Sequence, residues 1–296
     1  MAQPPSTGQR NEPGRGIAWI LLTMLLFVSM DTLAKHLAAT YPVAQVVWAR
    51  YTFHFLLLAA ILHRRLPDVA RTKRLGFQAG RALLLAGTTA LFFTGLRYVP
   101  LASASAMMFI APLMVTGLSV PLLGERVGPR RWAAVAVGFV GAMIIIRPGT
   151  AAMDLAMLLP LGAAFLYAFY QIATRELSRT DAPMTTLVYT ALVGGLVSSL
   201  VVPFSWQAPT AGDWGLMVLM GLFGGTSQFA LIKAFQSAPA SVVTPFSYSS
   251  LIWATTLGFL VFGDLPDGWT VVGALVIAAS GLYVFAREMR GRGNRV

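Results

Sequence analysis

The stretch PLASASAMMFIAPL (Pro100–Leu113), followed by Gly124-Glu125, returns 139 residues later as PASVVTPFSYSSLI (Pro239–Ile252), followed by Gly263-Asp264. Both copies lie in apolar sequence. The same offset carries Ala134 and Gly141 onto Gly273 and Ser280. Upstream, an offset near 140 lays Phe27, Asp31 and Lys35 over Tyr167, Gln171 and Arg175. The chain therefore reads as a duplicated unit, and duplicated membrane units are a recurring way to build a carrier around one central site.

Composition points to lipid as the solvent. Of 296 residues, 56% are hydrophobic and only 11% charged, where soluble domains carry about a quarter charged residues. No soluble core of this size hides so much apolar surface, so a bilayer must cover it. The chain has no cysteine, which removes disulfides, thiolate metal sites and a thiol nucleophile and leaves the redox compartment open. No His/acid cluster has ligand spacing, so neither a metal nor a cofactor is expected. Residues 1–16 are polar and rich in Pro, Gly and Gln. They are expected to form a short disordered cytoplasmic tail rather than a signal peptide.

Apolar segments of spanning length fall at 17–39, 44–62, 77–97, 102–122, 131–147, 154–174, 184–203, 212–234, 241–262 and 268–286. Roughly 20 residues cross a bilayer core, so the fold class is an all-α polytopic membrane protein with ten transmembrane helices. The domain reading is a tail (1–16), a first five-helix repeat (17–147), a second (154–286) and a basic cytoplasmic tail (287–296). Five is odd, so the second repeat enters from the opposite side and the two are inverted. In such folds the substrate site lies near the midplane between the repeats, and access alternates as one half rocks against the other.

Basic residues orient the bundle. With the N-terminus in the cytoplasm, 17 of 22 Lys and Arg fall on the cytoplasmic side, Arg97 and Arg147 on the other, and Lys35, Arg50 and Arg81 within spans. That excess of inside positives places both termini in the cytoplasm and the chain in the cell (inner) membrane. It also accounts for the net charge of +11 as a topology signal and a face for anionic lipid, so no nucleic-acid partner is needed.

A family resemblance rests on motifs in order along the chain. They are Met30-Asp31-Thr32-Leu33-Ala34-Lys35-His36-Leu37, Tyr41-Pro42, Trp48-Ala49-Arg50-Tyr51 and Gly80-Arg81-Ala82-Leu83-Leu84-Leu85. Pro100-Leu101-Ala102-Ser103-Ala104, Ala111-Pro112-Leu113, Gly124-Glu125 and Arg131-Trp132 continue the series. Over residues 16–288 the chain resembles the EamA-type carriers of the drug/metabolite transporter superfamily. It looks most like the branch with Asp-x-x-x-Lys in the first helix and Arg in the second, which includes S-adenosylmethionine and riboflavin uptake carriers. It looks less like the aromatic amino-acid exporters, which have a Trp-Ser type motif where this chain has Ser29-Met30-Asp31. The resemblance implies ten helices, no ATP motor and a small organic solute.

Charges inside a bilayer are costly and usually face a cavity or a partner. Asp31 and Lys35, four apart on one face of the first helix, read as a charge pair that lines the pathway and changes partner, or as an ion pair that only locks the helix in place. Arg50 offers a rigid fork of donors to a substrate anion or carbonyl, or pairs with Asp31. His54 fits proton coupling or a hydrogen-bonded packing role. Arg81 lies near the cytoplasmic end of its helix and can snorkel, while its family-like position suggests the site. In the second repeat Tyr167, Gln171, Gln228 and Tyr248 form aromatic faces with hydrogen-bonding tips, suited to a flat organic ligand. Pro112 and Pro245 are expected hinges or kinks. Gly221 and Gly225 permit close helix contact within the chain or across a homodimer.

The sequence thus points to a secondary carrier and not an enzyme. No Ser-His-Asp set is evident, no phosphate-binding Gly-x-x-x-x-Gly-Lys-Ser/Thr loop occurs, and a channel would show a filter or a ring of like residues. The expected partners are a small-molecule substrate and membrane lipid. Asp31 with Lys35 and Arg50 makes the midplane net positive, which suits a neutral planar heterocycle better than a cation such as S-adenosylmethionine. Riboflavin-like vitamin uptake leads, with S-adenosylmethionine uptake and amino-acid or other metabolite export behind it.

Overall fold

The computed structural model describes residues 12–124, 127–148 and 155–293, all of them helical or in short links. The first repeat comprises α1 (Pro13–Thr40), α2 (Val43–Leu62), a short α3 (Leu66–Val69), α4 (Leu75–Leu96), α5 (Leu101–Met108), α6 (Ala111–Leu123) and α7 (Pro129–Ile146). The second comprises α8 (Leu158–Leu177), α9 (Pro183–Val201), α10 (Ala211–Ser237), α11 (Ala240–Val243), a 3-10 turn (Thr244–Tyr248), α12 (Ser249–Phe262) and α13 (Gly268–Gly293). Counted across the breaks, ten helical segments among the described residues are long and apolar enough to span a membrane. The protein is an integral membrane protein. An even number of crossings puts both described ends on one face, the near face, and leaves the far face opposite.

Both ends are more helical than their polarity suggests. Pro13 opens α1 from its first turn, where a missing N–H costs nothing. The Glu12 amide donates to the Ser237 carbonyl (3.1 Å), and Gly16 packs against Ala238 and Val243. Residues 13–16, expected to be disordered, are thus helical. At the other end α13 runs on to Gly293, so the basic tail expected from 287 begins as helix. The tail residues 1–11 and 294–296, and Glu125, Arg126 and Gly149, lie outside the described residues.

The packing follows the duplication. α1 packs on α10 as its copy α8 packs on α4, and α2 packs on α10 as α9 packs on α4. Two further contacts join an element to its own copy, α2 to α9 and α7 to α13. In the second, Ser280 Oγ donates to the Ala134 carbonyl, while Gly141 and Gly273 meet backbone to backbone. The 139-residue offset turns one of these contacts into the other, which is what an inverted two-fold relation between the repeats requires. Gly124 (φ 66°) ends α6 and Gly263 (φ 72°) ends α12, each in the left-handed conformation that a side chain disfavours. On the far face Asp267 caps α13 by accepting from the Thr270 amide (2.8 Å) and pairs with Arg147 (2.7 Å). The Thr270 hydrogen bond, helped by Arg147, holds the Asp267 carboxyl below the usual carboxylate range.

The fourth and ninth spans are broken rather than merely bent. α5 ends at Met108 and α6 begins at Ala111, and Phe109 and Ile110 bond three residues back instead of four. Pro112, in the first turn of α6, lacks the N–H that the Met108 carbonyl would accept. Pro245 sits inside the 3-10 turn between α11 and α12. Phe109 and Tyr248 are copies of each other at the 139 offset, and their rings stack on each other, 4.5 Å apart and 17° from parallel. The two breaks thus meet at the pseudo-two-fold axis.

Candidate functional site

Two arginines organise the middle of the bundle, and neither has a carboxylate partner within 4 Å among the described residues. Arg81 on α4 is only 5% exposed. Its Nε donates to Thr174 Oγ1 (2.6 Å), its Nη1 to Thr190 Oγ1 (2.8 Å) and the Thr186 carbonyl (3.3 Å), and its Nη2 to Tyr170 Oη (2.6 Å). The expected snorkelling toward the cytoplasmic face therefore does not occur. Packing of α4 against α8 and α9 encloses the guanidinium and supplies four neutral acceptors instead. Thr174 and Thr190 hand their own protons to backbone carbonyls one turn back (2.6 and 2.8 Å), which leaves their lone pairs for Arg81. The Tyr170 held in this way stacks on Tyr167, with ring centroids 5.4 Å apart and planes at 18°. Arg81 thus fixes Tyr170, and through it the stacked tyrosine pair on α8.

Arg50 on α2 is half-buried and differently committed. Its Nη1 donates to Thr89 Oγ1 (2.6 Å), and its guanidinium carbon lies 5.2 Å from the Tyr51 ring centroid and 5.5 Å from that of Phe93. Thr89 gives its proton to the Leu85 carbonyl (2.9 Å), so the 2.8 Å contact from Tyr51 Oη is a second donation into it. One of five guanidinium N–H groups is used, and the rest have no protein acceptor among the described residues. Arg50 does not pair with Asp31. Asp31 is half-buried on α1 with no side chain at ion-pair distance among the described residues, and Arg50 is the charge that acts on it through space.

Lys35 turns away from Asp31, contrary to the simplest reading of their spacing. Its Nζ donates to Asp264 Oδ2 (2.8 Å) and to the Val99 carbonyl (3.0 Å) on the far face. His54 is 3% exposed and packs against Gly225 of α10, with Nε2 lacking any hydrogen bond. It is buried in the contact of α2 with α10, without the Nε2 hydrogen bond that the packing reading expected. Gly221 and Gly225 receive Phe53, His54 and Leu57, so this glycine pair serves contact within the chain.

Gln171 is half-buried, and its amide makes no hydrogen bond among the described residues. It lies one turn beyond Tyr167 on the same face of α8. Gln228 is likewise half-buried and unpartnered, one turn from the Gly224 that touches Met30 of α1. Tyr248 belongs to the axis rather than to the arginine cluster, with its hydroxyl seated against Gly281 of α13. The structure therefore brings Arg50, Arg81 and Tyr167 within electrostatic reach of one another, with His54 one turn from Arg50 on α2, sends Lys35 to Asp264 on the far face, and puts Tyr248 at the broken helices. Sequence reasoning missed Thr89 and Thr190, since threonines in apolar helices usually bond only their own backbone. It also missed Asp264 as an ion-pair partner, although Asp264 closes the second copy of the Gly124-Glu125 motif.

Comparison with known proteins adds to this geometry. The profile of the EamA-like transporter family matches residues 14–147 and again residues 154–286. A riboflavin transporter of Vibrio cholerae is 32% identical over 286 residues, covering 95% of this chain and 96% of that protein. A riboflavin transporter of Rhizobium johnstonii is 31% identical over 285 residues, 94% of each chain. An S-adenosylmethionine uptake transporter of Rickettsia prowazekii is 26% identical over 280 residues, 95% of each. A solved crystal structure shares the fold, with a TM-score of 0.60 at 19% identity over 92% of this chain and 98% of that one.

Proposed function

The chain belongs to the EamA-like transporter family, and on that premise we propose that it takes up a flat, uncharged heterocyclic vitamin of the riboflavin type. It does so across the cell inner membrane, with both termini in the cytoplasm. As a member of that family it is a small-metabolite carrier and not an enzyme.

The observation that carries the substrate reading is the open guanidinium of Arg50 together with the stacked Tyr167–Tyr170 platform. A fused ring system stacks on tyrosine faces, and its carbonyl edge accepts from an arginine fork. The unpartnered Gln171 amide offers both a donor and an acceptor to the same edge. Two arginines against one carboxylate disfavour a cationic solute. The relatives that are riboflavin transporters agree with this chemistry. A second reading, S-adenosylmethionine uptake, is favoured by the unpaired Asp31 carboxylate as a seat for a sulfonium.

A riboflavin-auxotrophic host expressing this chain tests the proposal. The expected result is saturable uptake of labelled riboflavin that excess S-adenosylmethionine does not inhibit. Absence of saturable riboflavin uptake overturns it, and inhibition by S-adenosylmethionine favours the second reading. In the same assay Arg81→Met is expected to raise KM about ten-fold, the loss of one oriented contact worth about 1.4 kcal/mol, with a smaller change in maximal rate. An unchanged KM would contradict the positioning role of Arg81.

A further inference from the structure

Lys35 joins parts of the molecule that must separate if the far face is ever to open. Its Nζ holds Asp264, just past the end of α12 in the second repeat, and the Val99 carbonyl, in the link between α4 and α5 of the first. The Phe262 ring lies 4.9 Å from Nζ and covers the ammonium from one side. The lysine is 14% and the aspartate 36% exposed. Water reaches the carboxylate side of the pair and screens it, so the bond can break and re-form within a working cycle if the ammonium finds another partner.

One turn below Lys35, on the same face of α1, stands Asp31 with its carboxylate unpartnered among the described residues. Side chains four apart on a helix lie about 5–6 Å apart at Cβ, within reach of a lysine. The geometry points to a partner exchange. Lys35 bonds Asp264 when the far face is shut and swings to Asp31 when α12 moves away. Each position then satisfies the ammonium with a carboxylate, so opening the face leaves no unpaired lysine in the bundle. Asp31 stays available to the exchange because no side chain, Arg50 included, stands at ion-pair distance from it among the described residues. In the sequence, Lys35 and Asp264 correspond to Arg175 and Glu125 of the opposite halves. The same motif is thus written for both faces, although Glu125 lies outside the described residues.

This inference rests on the carrier reading, but its test needs no substrate. The chain has no cysteine, so Val99→Cys places a single thiol beneath the bond, at a position 1% exposed. Leu101→Cys, also buried, is a second reporter should the first perturb folding. The purified protein is labelled in detergent with a membrane-impermeant maleimide, and the rate of labelling is measured. Asp264→Asn removes the partner of the shut state and is expected to speed labelling about ten-fold, and Asp31→Asn removes the partner of the open state and is expected to slow it about ten-fold. The exchanged pair Lys35→Asp with Asp264→Lys is expected to label more slowly than Asp264→Asn. Equal labelling of Asp264→Asn and its parent, or acceleration by both asparagine variants, overturns the exchange. If the opposite shifts are seen while riboflavin is not carried, the exchange stands and only the substrate assignment fails.

Discussion

Arg50→Ala is expected to lower the initial rate of uptake by at least about 100-fold at equal membrane abundance, because two charge-assisted hydrogen bonds to substrate are worth about 3–6 kcal/mol together. Arg50 can supply those bonds because only one of its N–H groups is used within the protein. Removing it leaves the surrounding fold satisfied, since Thr89 keeps its bond to the Leu85 carbonyl and its contact with Tyr51. Membrane insertion should therefore persist. Arg50→Lys is expected to recover less than a tenth of the activity, because an ammonium cannot reproduce a planar fork. Uptake by Arg50→Ala at the parental rate would remove Arg50 from the site.

The second large effect is on stability. Gly141→Leu is expected to cost about 3 kcal/mol, at the upper end of what overpacking costs. A Cβ at Gly141 would lie 2.9 Å from the Gly273 carbonyl oxygen and 2.8 Å from Ile277, and a Cβ at Gly273 would in turn lie 2.6 Å from the Gly141 carbonyl oxygen. The listener on the other side of this contact is backbone, which cannot rotate away as a side chain can. α7 and α13 would have to separate along the seam that joins the two repeats. The measurement is thermal unfolding in detergent, with a drop in Tm of about 6–12 °C, taking ~2–4 °C per kcal/mol for a chain of this size. Gly215→Ala, where nothing lies within 4 Å, is the control and should be neutral or slightly stabilising. An unchanged Tm for Gly141→Leu would mean that the repeats do not meet at this crossing.

The frame of this protein was legible because duplication leaves the same small residues at the same offset. Ala134 and Gly141 with Gly273 and Ser280 were visible as copies, and they proved to be mutual contacts. The spans were legible because few charges interrupt them. The site was legible only as a set of costly residues. That Arg81 must be satisfied follows from its burial, but that Thr174, Thr190 and Tyr170 satisfy it follows from how α8 and α9 pack. Lys35 shows the same limit. Its neighbour along α1 suggested Asp31, yet the partner in this conformation is Asp264, 229 residues away. Helical spacing says which groups can meet, and the conformation of the bundle selects among them. The breaks followed the prolines loosely. Pro112 signalled one, but the chain turns at Phe109 and Ile110 just before it, because a proline disturbs the carbonyl four residues back.

The most direct test of the central claim is countertransport in proteoliposomes. Vesicles containing the purified protein are loaded with unlabelled riboflavin, and entry of labelled riboflavin is followed. The account expects transient, saturable accumulation of label above equilibrium, lost with Arg50→Ala. Label that enters only in proportion to its concentration, with no overshoot and no dependence on Arg50, would contradict a riboflavin carrier with its site between the repeats.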